Sequence, residues 1–237
     1  MAGRPSTTEM HCGPGFRVRK EIERPDPALI EAFSKYPTPD ISDLINRLYT
    51  MSANIHNVSN KKEICGPACT VKVFPGDNLM VHKALDVAKP GDIVVVDASA
   101  NKTHAVLGDL VSNKAKHVGI QAFVIDGLVR DIEGIRETGL PVYATGVTPI
   151  GPLHRGPGEL GYSVSCGGIV VNPGDIIRGD ENGVVVIRKD FAEDILERLH
   201  VQKASLETYV SQVKQGVFSN AWVDEMLKQG NCSLDED

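Results

Sequence analysis

The chain has 237 residues, of which 41% are apolar, with a formal net charge of -6 and a pI near 5.7. This length suffices for one domain with a sizeable buried core. Lys and Arg are spread along the chain without a basic stripe or interleaved aromatic residues, which argues against nucleic-acid binding. No apolar run approaches the ~20 residues of a membrane span, so no membrane association is expected.

The expected compartment follows from the N-terminus and the cysteines. The first residues, MAGRPSTTEMHCGPGF, lack the apolar segment of a secretory signal, and we expect a cytoplasmic protein. Their Ser, Thr, Gly and Arg content leaves a mitochondrial location as the alternative. The cysteines include no Cys-x-x-Cys pair, so neither a disulfide framework nor a zinc ribbon is indicated. Buried, reduced thiols are the preferred interpretation for Cys65, Cys69 and Cys166.

Helices and strands are predicted to alternate in the first half of the chain. Two short helices come first, over Pro27 to Tyr36 and over Thr38 to Met51. Thr38 is the predicted N-cap of the second helix, because Pro39 suits the first helical position. The next elements are a strand at Ala68 to Phe74, a helix from about Asn78 to Ala88 and a strand at Ile93 to Asp97.

In the second half of the chain, helices and strands are again predicted to alternate, and a strand-rich block follows. From Tyr162 to Ile187, turns rich in Gly and Asn separate short β runs. The last helix is predicted to start at Asp190, whose carboxylate can cap it together with Glu193, and to run to about Lys214. The elements before this block are a helix near Leu110 to His117, a strand at Ile120 to Ile125, a helix at Asp131 to Thr138 and a strand at Pro141 to Thr145.

One glycine-rich segment, Gly156 to Gly161, matches the pattern GxGxxG. A dinucleotide-binding loop needs a strand before this pattern and a helix after it. Here a turn-rich segment precedes it and the β-like YSVS follows. We therefore interpret the segment as a loop and reject a nicotinamide or flavin site.

Charged residues follow the predicted strand Ile120 to Ile125, in the segment VIDGLVRD. Ligands of open α/β sheets bind outside the carboxyl ends of strands. The guanidinium of Arg130 can neutralise an anionic substrate, and the carboxylate of Asp131 can hold a hard divalent cation. The alternative is a surface ion pair in which Asp131 caps the following helix. Asp126 is either a second carboxylate near the metal or, preferably, the first residue of an Asp-Gly turn.

Several segments resemble one known family in their order and spacing. They are TPDISDLINRL from Thr38, ICGPACTVKVFPGDNLMVHKAL from Ile64, PGDIVVVDAS from Pro90, AVLGDLV from Ala105, VIDGLVRD from Val124, PVYATGVTPIGP from Pro141 and GGIVVNPGDIIRGDENGVVVI from Gly167. Together they resemble the RraA-like family. This family includes class II 4-hydroxy-4-methyl-2-oxoglutarate / 4-carboxy-4-hydroxy-2-oxoadipate aldolases and the regulator of ribonuclease E activity A.

The resemblance implies an α/β protein with the swivelling β/β/α fold, which is RraA-like and phosphohistidine-domain-like. It implies a single domain with helical additions at both ends. The expected boundaries are a flexible N-terminal segment over 1–25, an RraA-like catalytic domain over 26–215 and a C-terminal extension over 216–237. Homotrimers or hexamers, as dimers of trimers, are the expected assemblies.

The resemblance also implies roles for individual residues. In the aldolases the equivalent of Arg130 contacts the pyruvyl oxygens, and the equivalent of Asp131 binds Mg²⁺, Mn²⁺ or another divalent cation. The ribonuclease regulators lack this Asp, so Asp131 favours the aldolase type. Gly108, Asp109, Leu110 and Val111 stand where the aldolases carry Gly-Glu-Leu-Leu, a loop whose backbone N–H groups bind the substrate carboxylate. The shorter side chain of Asp109 puts its catalytic reach in question, and Asp109 as a helix cap is the alternative.

The activity implied is retro-aldol cleavage of a 4-hydroxy-2-oxo acid to pyruvate and a second oxo compound, accompanied by decarboxylation of oxaloacetate. In the family a Glu from the C-terminal helix of a neighbouring subunit assists, and Glu207 is the best match here. Two alternatives stay open, a protein that binds and inhibits a ribonuclease, and a metal-dependent enzyme acting on another 2-oxo or hydroxy acid. The sequence leaves the second half of the substrate undetermined.

Overall fold

The computed structural model describes residue 7 and residues 9–233. Within these residues the helices are α1 (Pro27–Phe33), α2 (Thr38–Leu44), α3 (Leu79–Val87), α4 (Asp109–His117), α5 (Ile132–Thr138), α6 (Ala192–Lys214) and α7 (Ala221–Gln229). The strands are β1 (Phe16–Val18), β2 (His56–Asn57), β3 (Ile64–Val73), β4 (Ile93–Asp97), β5 (Ala122–Asp126), β6 (Leu128–Val129), β7 (Val142–Ala144), β8 (Gly146–Val147), β9 (Gly158–Leu160), β10 (Val164–Cys166), β11 (Ile169–Val171), β12 (Ile176–Asp180) and β13 (Gly183–Ile187). The chain divides into two compact units between Leu196 and Glu197.

Four parallel strands, β3, β4, β5 and β7, form the centre of the main sheet, whose order is β1-β9-β3-β4-β5-β7-β2. The whole of β4 is buried, as expected for a strand of Ile and Val that is covered on both faces. The parallel register aligns the carboxyl ends of the strands, so that Lys72, Asp97 and Asp126 stand side by side. This edge is the usual ligand-binding edge of such a sheet.

The core lies on both faces of the sheet, because alternate residues of a strand point to opposite sides. On one face Val94 and Phe123 belong to a cluster that includes the buried apolar residues of α3, α4 and α5. On the other face Val95 and Val124 belong to a cluster with residues of β10, β11, β12 and β13. These layers of strands, sheet and helices confirm the expected β/β/α architecture, with α1 and α2 before it and α6 and α7 after it.

The second predicted helix is shorter than its pattern indicates. The prediction ran to Met51, but α2 ends at Leu44. Asn46 and Arg47 follow with positive φ values of 56° and 63°. Successive residues in this left-handed conformation cannot continue a right-handed helix.

Two predicted N-caps are wrong. Thr38 is the first residue of α2, and its N–H and hydroxyl donate to Asp180 at 2.8 and 2.7 Å. Asp190 lies within a 3₁₀ turn over Lys189–Phe191, and α6 begins only at Ala192. In the first case a partner distant in sequence replaces the local cap, which the local pattern could not reveal.

The GxGxxG segment was predicted as a loop, but it contains a three-residue strand. β9, within this segment, pairs in parallel with β1 and antiparallel with β3. Gly158 brings the backbone of β9 so close to the carbonyl of Lys72 that a side chain would collide there. The rejection of a dinucleotide-binding loop is unaffected, because no helix follows this segment.

Both chain ends contain elements that the sequence pattern did not reveal. β1 lies inside the segment expected to be flexible, and α7 lies inside the C-terminal extension. The boundaries at 25/26 and 215/216 stay predictions, and residues 1–6, 8 and 234–237 lie outside the described part of the chain. None of the helices within the described residues has the length and apolar character needed to cross a membrane.

Candidate functional site

A short backbone ladder joins the two segments that carry the predicted site. β6 pairs in parallel with β8, and on its other side it is bridged to Ala105. The Val106 N–H donates to the Leu128 carbonyl at 2.8 Å, and the Arg130 N–H donates to the Leu107 carbonyl at 3.0 Å. The residue before Gly108 is therefore bonded to Arg130. This contact brings together two parts of the site that are distant in sequence.

Arg130 and Asp131 form an ion pair, with Nε of Arg130 3.1 Å from Oδ2 of Asp131. The two side chains are 41% and 46% exposed. A half-exposed pair contributes at most about 1 kcal/mol to stability. Both groups are also open to a ligand from solvent.

The backbone of Asp131 is in the left-handed region, with φ 53° and ψ 47°. Asp131 stands at the N-cap position of α5, yet its side chain makes no capping hydrogen bond. The helix-cap alternative for Asp131 is therefore wrong. A left-handed residue other than Gly costs about 1 to 2 kcal/mol, and strain of this kind is typical of functional sites.

Gly108 lies directly against this ion pair. A Cβ at Gly108 would collide with Oδ2 of Asp131 and lie 3.2 Å from Cγ of Arg130. The φ of Gly108 is -140°, an ordinary extended value, so space rather than backbone conformation explains the glycine. The carbonyl of Gly108 accepts the Ser112 hydroxyl at 3.0 Å, which ties this residue to the first turn of α4.

The predicted anion-binding loop forms the start of α4, but one of its donors is already engaged. Oδ1 of Asp109 accepts the Leu110 N–H at 2.7 Å. The side chain of Leu110 is 70% exposed, whereas that of Val111 is buried in the core. Asp109 thus occupies one position that the substrate carboxylate was expected to take, although the N-cap residue of α4 is Gly108 and not Asp109. A ligand that bound the Leu110 N–H would have to displace the Asp109 carboxylate.

The donor set fits a hard divalent cation held by few protein ligands. Asp131 supplies carboxylate oxygen, the ligand type that Mg²⁺ and Mn²⁺ prefer. Among the described residues no three His, Cys, Asp or Glu side chains converge as a metal cage. Mg²⁺ is commonly bound by one or two carboxylates, with water and substrate oxygens completing its shell. The exposed carboxylate of Asp131 suits that arrangement.

Asp126 and Asn101 have structural roles. Oδ2 of Asp126 accepts the Gly167 N–H at 3.0 Å, so Asp126 fastens the turn between β10 and β11 to the end of β5. Neither sequence interpretation of Asp126 included this contact. Oδ1 of Asn101 accepts the N–H groups of Thr103 and His104, both at 2.8 Å, and shapes the loop before Gly108.

A polar cluster that no sequence motif predicted contains His154, Asn78 and His82. Nδ1 of His154 lies 2.6 Å from Oδ1 of Asn78, whose amide donates to the Val106 carbonyl at 2.8 Å. Because that amide oxygen is an acceptor, Nδ1 of His154 is the donor. The His82 ring lies edge-on to His154, and burial, then His154 and Lys114, lower the pKa of His82. His154 and Asn78 are 76 residues apart, so no local motif could reveal the contact.

The family model described as "RraA-like: Aldolase/RraA" matches residues 38–186. A relative from Halalkalibacterium halodurans, provisionally named 4-hydroxy-4-methyl-2-oxoglutarate aldolase, is 36% identical over 199 residues. That match covers 84% of this chain and 95% of the relative.

Two solved structures share the fold. One is Streptomyces coelicolor RraAS2, described as an unusual member of the RNase ES inhibitor RraA family, with a TM-score of 0.72 and 24% identity over 80% of this chain and 100% of that chain. The other is the RNA-processing inhibitor RraA from Thermus thermophilis, with a TM-score of 0.59 and 28% identity over 65% of this chain and 93% of that chain.

Proposed function

This chain belongs to the RraA-like family, and we propose that it is a divalent-metal-dependent aldolase. Its substrate would be a 4-hydroxy-2-oxo acid of the 4-hydroxy-4-methyl-2-oxoglutarate type, cleaved to pyruvate and a second oxo compound. The observation that carries the proposal is the half-exposed pair of Arg130 and Asp131, with the Asp131 carboxylate free of any capping bond. The provisional name of the Halalkalibacterium relative, matched over nearly its whole length, supports the same activity.

Cleavage breaks the bond between C3 and C4 of the substrate and leaves its electron pair on the pyruvate enolate. The hydroxyl at C4 loses its proton and becomes the carbonyl of the second product. The guanidinium of Arg130 stabilises the negative charge that develops on the enolate oxygen. Its planar fork suits two neighbouring substrate oxygens.

Asp131 would hold Mg²⁺, Mn²⁺ or another divalent cation in this scheme. When bound, the cation supplies Lewis-acid polarisation of the 2-oxo group. Asp131 would contribute the negative charge that attracts the cation, and its ion pair holds the Arg130 guanidinium next to that carboxylate. The guanidinium and the cation would then both be available to the 2-oxo acid end of the substrate.

Asp109 acts through an exchange of partners at the start of α4. The substrate carboxylate takes the Leu110 N–H, which is aligned with the positive end of the helix. The carboxylate of Asp109, displaced from its bond to Leu110, is then available to accept the C4 hydroxyl proton. Gly108 and Val111 contribute through their backbones, because the first has no side chain and the second is buried.

Glu207 belongs to the second unit of the chain, where its side chain is exposed. We assign it to the site of a neighbouring subunit in a homotrimer or a hexamer.

The same enolate forms when oxaloacetate loses carbon dioxide, so oxaloacetate decarboxylation accompanies the aldolase activity. Inhibition of a ribonuclease is the competing function, because one protein of this fold is described as an RNA-processing inhibitor and another as an unusual member of an RNase inhibitor family. Inhibition by surface contact needs no metal-binding carboxylate, so the exposed Asp131 favours the aldolase over the inhibitor.

The test is pyruvate release from a panel of 4-hydroxy-2-oxo acids and oxaloacetate, with Mg²⁺, with Mn²⁺ and with EDTA. We expect release that EDTA abolishes and that Arg130→Ala removes. Release that persists in EDTA would remove the metal from the mechanism. No release from any member, together with inhibition of a ribonuclease, would favour the binding function. If the protein turned over only other 2-oxo or hydroxy acids, the assignment of the site would stand and the assignment of the substrate would be wrong.

A further inference from the structure

Two glycines beyond Gly108 lie against the charged side chains of the candidate site. Gly151 contacts the guanidinium of Arg130, and Gly134 contacts the side chain of Asp109. Neither glycine has a φ in the left-handed region, so an L side chain is compatible with the backbone at both positions. What each position lacks is space, and in each case a charged side chain of the site takes up that space.

The guanidinium of Arg130 lies on the Cα of Gly151. A Cβ there would overlap Nη1 and lie 3.2 Å from Cζ. The loop that carries Gly151 is held at both ends: the Ile150 carbonyl accepts the Ala105 N–H at 2.8 Å, and the Leu153 N–H donates to Gly76 at 2.7 Å. If a side chain were added at position 151, the loop could therefore move less than the end of the Arg130 side chain. A methyl group at position 151 would turn the guanidinium away from its present direction.

Gly134 lies against the side chain of Asp109 in the same way that Gly151 lies against Arg130. It lies inside α5, where a Cβ would be 2.6 Å from Cβ and 3.0 Å from Oδ2 of Asp109. Alanine is a better helix former than glycine in a helix interior, so helix stability does not favour glycine here. The close approach of α5 to the first residue of α4 explains it instead.

We propose that Gly151 and Gly134 are positioning residues, which set the direction of the Arg130 guanidinium and the place of the Asp109 carboxylate. Their catalytic effect rests on the proposed function. The positioning itself does not, because it can be measured in the free protein. Neither glycine touches the substrate in this assignment, and each acts through the one side chain that it contacts.

The control for crowding is Gly127→Ala. A Cβ at Gly127 would meet Cβ of Ala98 at 3.0 Å and the side chains of Val106 and Ile125 at 3.4 and 3.6 Å. These neighbours are apolar, and none belongs to the charged site. Gly127→Ala therefore reports the effect of an added methyl group in a packed segment beside the site.

The first measurement is the Nε–H cross-peak of Arg130 in a ¹⁵N correlation spectrum, identified by its loss in Arg130→Lys. We expect Gly151→Ala to move this cross-peak and Gly127→Ala to leave it in place. A cross-peak that stays in place in a folded Gly151→Ala protein would overturn the positioning role of Gly151, whatever the activity.

The second measurement is a double-mutant cycle that combines Gly151→Ala with Arg130→Ala. The quantity compared is the affinity for oxalate, a planar analogue of the pyruvate enolate, measured by calorimetry in the presence of Mg²⁺. Misplacement of a catalytic group by about 1 Å can cost about 100-fold, so we expect Gly151→Ala to weaken oxalate binding and kcat/KM by up to about that factor. In the Arg130→Ala background the same change should have no further effect, because the group it displaces is gone. Equal effects in both backgrounds would show a general structural disturbance and overturn the proposal.

The third measurement concerns Gly134→Ala. We expect kcat to fall while KM changes little, because the displaced Asp109 carboxylate is the proton acceptor. In an Asp109→Gly background, which also removes the Cβ that a side chain at position 134 would meet, Gly134→Ala should change neither quantity. A fall in kcat that persists there would overturn the role of Gly134. A wild-type protein that releases no pyruvate would refute the proposed function alone, because the Arg130 cross-peak still decides the positioning by Gly151.

Discussion

Oδ2 of Asp131 lies 3.1 Å from Nε of Arg130, the residue immediately before it in the chain. The left-handed backbone of Asp131 accompanies this contact at the start of α5. A residue in this position normally caps the helix, and Asp131 does not. Its carboxylate is half-exposed and makes an ion pair instead of stabilising the end of the helix.

Substitution of Asp131 by Asn tests the metal ligand. Asn has nearly the same shape and tolerates the left-handed conformation, but it removes the charge. We expect Mg²⁺-dependent pyruvate release to be abolished, with the free energy of unfolding changed by less than about 0.5 kcal/mol. Glu133→Gln, which removes an exposed carboxylate from the first turn of α5, is the matched control and should keep full activity. Substantial turnover by Asp131→Asn at saturating Mg²⁺ would refute the assignment.

Arg130→Lys separates positive charge from geometry. Lys keeps the charge but lacks the planar fork that meets two oxygens at once. We expect kcat/KM to fall about 100-fold, or about 3 kcal/mol of transition-state stabilisation. Arg136→Lys in the last turn of α5 is the control and should change kcat/KM little. A near-normal kcat/KM in Arg130→Lys would show that Arg130 has only a structural role.

Asp109→Ala should affect binding and turnover in opposite directions. The substitution frees the Leu110 N–H and removes a negative charge near the bound anion, so oxalate should bind about tenfold more tightly. Oxalate resembles the planar pyruvate enolate, and its binding should require Mg²⁺ and Asp131. Loss of the proton acceptor should slow kcat about 100-fold. Weaker oxalate binding in Asp109→Ala would contradict the exchange of partners at Leu110.

The buried Asp180 predicts a loss of stability in acid. Burial alone raises the pKa of Asp180, but hydrogen bonds from Thr38 and Asn182 outweigh it and lower the pKa below its ordinary value. The lowered pKa means that this carboxylate stabilises the fold above about pH 4 and loses that contribution as the pH falls through the folded-state pKa. Asp180→Ala should cost about 2 to 3 kcal/mol at neutral pH. Urea unfolding from pH 7 to pH 3 measures it, and a difference between the two proteins that stays constant to pH 3 would count against this account.

The thiols should fall into two classes of reactivity. Cys12 and Cys232 are exposed, whereas Cys65, Cys69 and Cys166 are buried, as the sequence analysis preferred. Burial raises the pKa of Cys65 and of Cys69 to about 12. Titration of the native protein with a disulfide reagent at pH 8 should modify the two exposed thiols rapidly and the other three only after unfolding. Rapid modification of more than two thiols would contradict this burial.

The sequence determined the elements whose signal is local. The strand Ile93–Asp97 has the predicted bounds, because a run of consecutive Ile and Val residues bordered by turn residues has few other stable conformations. Arg130 and Asp131 could be recognised as a pair because they are consecutive and follow a buried strand. The β/β/α architecture was also accessible, since it depends on the order of such segments along the chain.

Only the tertiary structure decided which residues contact Arg130 and Asp131 at the candidate site. Gly108 lies against Asp131, and Gly151 lies against Arg130. Backbone hydrogen bonds between segments distant in sequence bring these residues together, and no local sequence pattern indicates those bonds. The same holds for Asp126, whose partner Gly167 is 41 residues away, and for Thr38, which bonds to Asp180 instead of capping α2. A side chain with two possible partners takes the one that folding brings within hydrogen-bonding distance, and that choice depends on the packing of the whole domain.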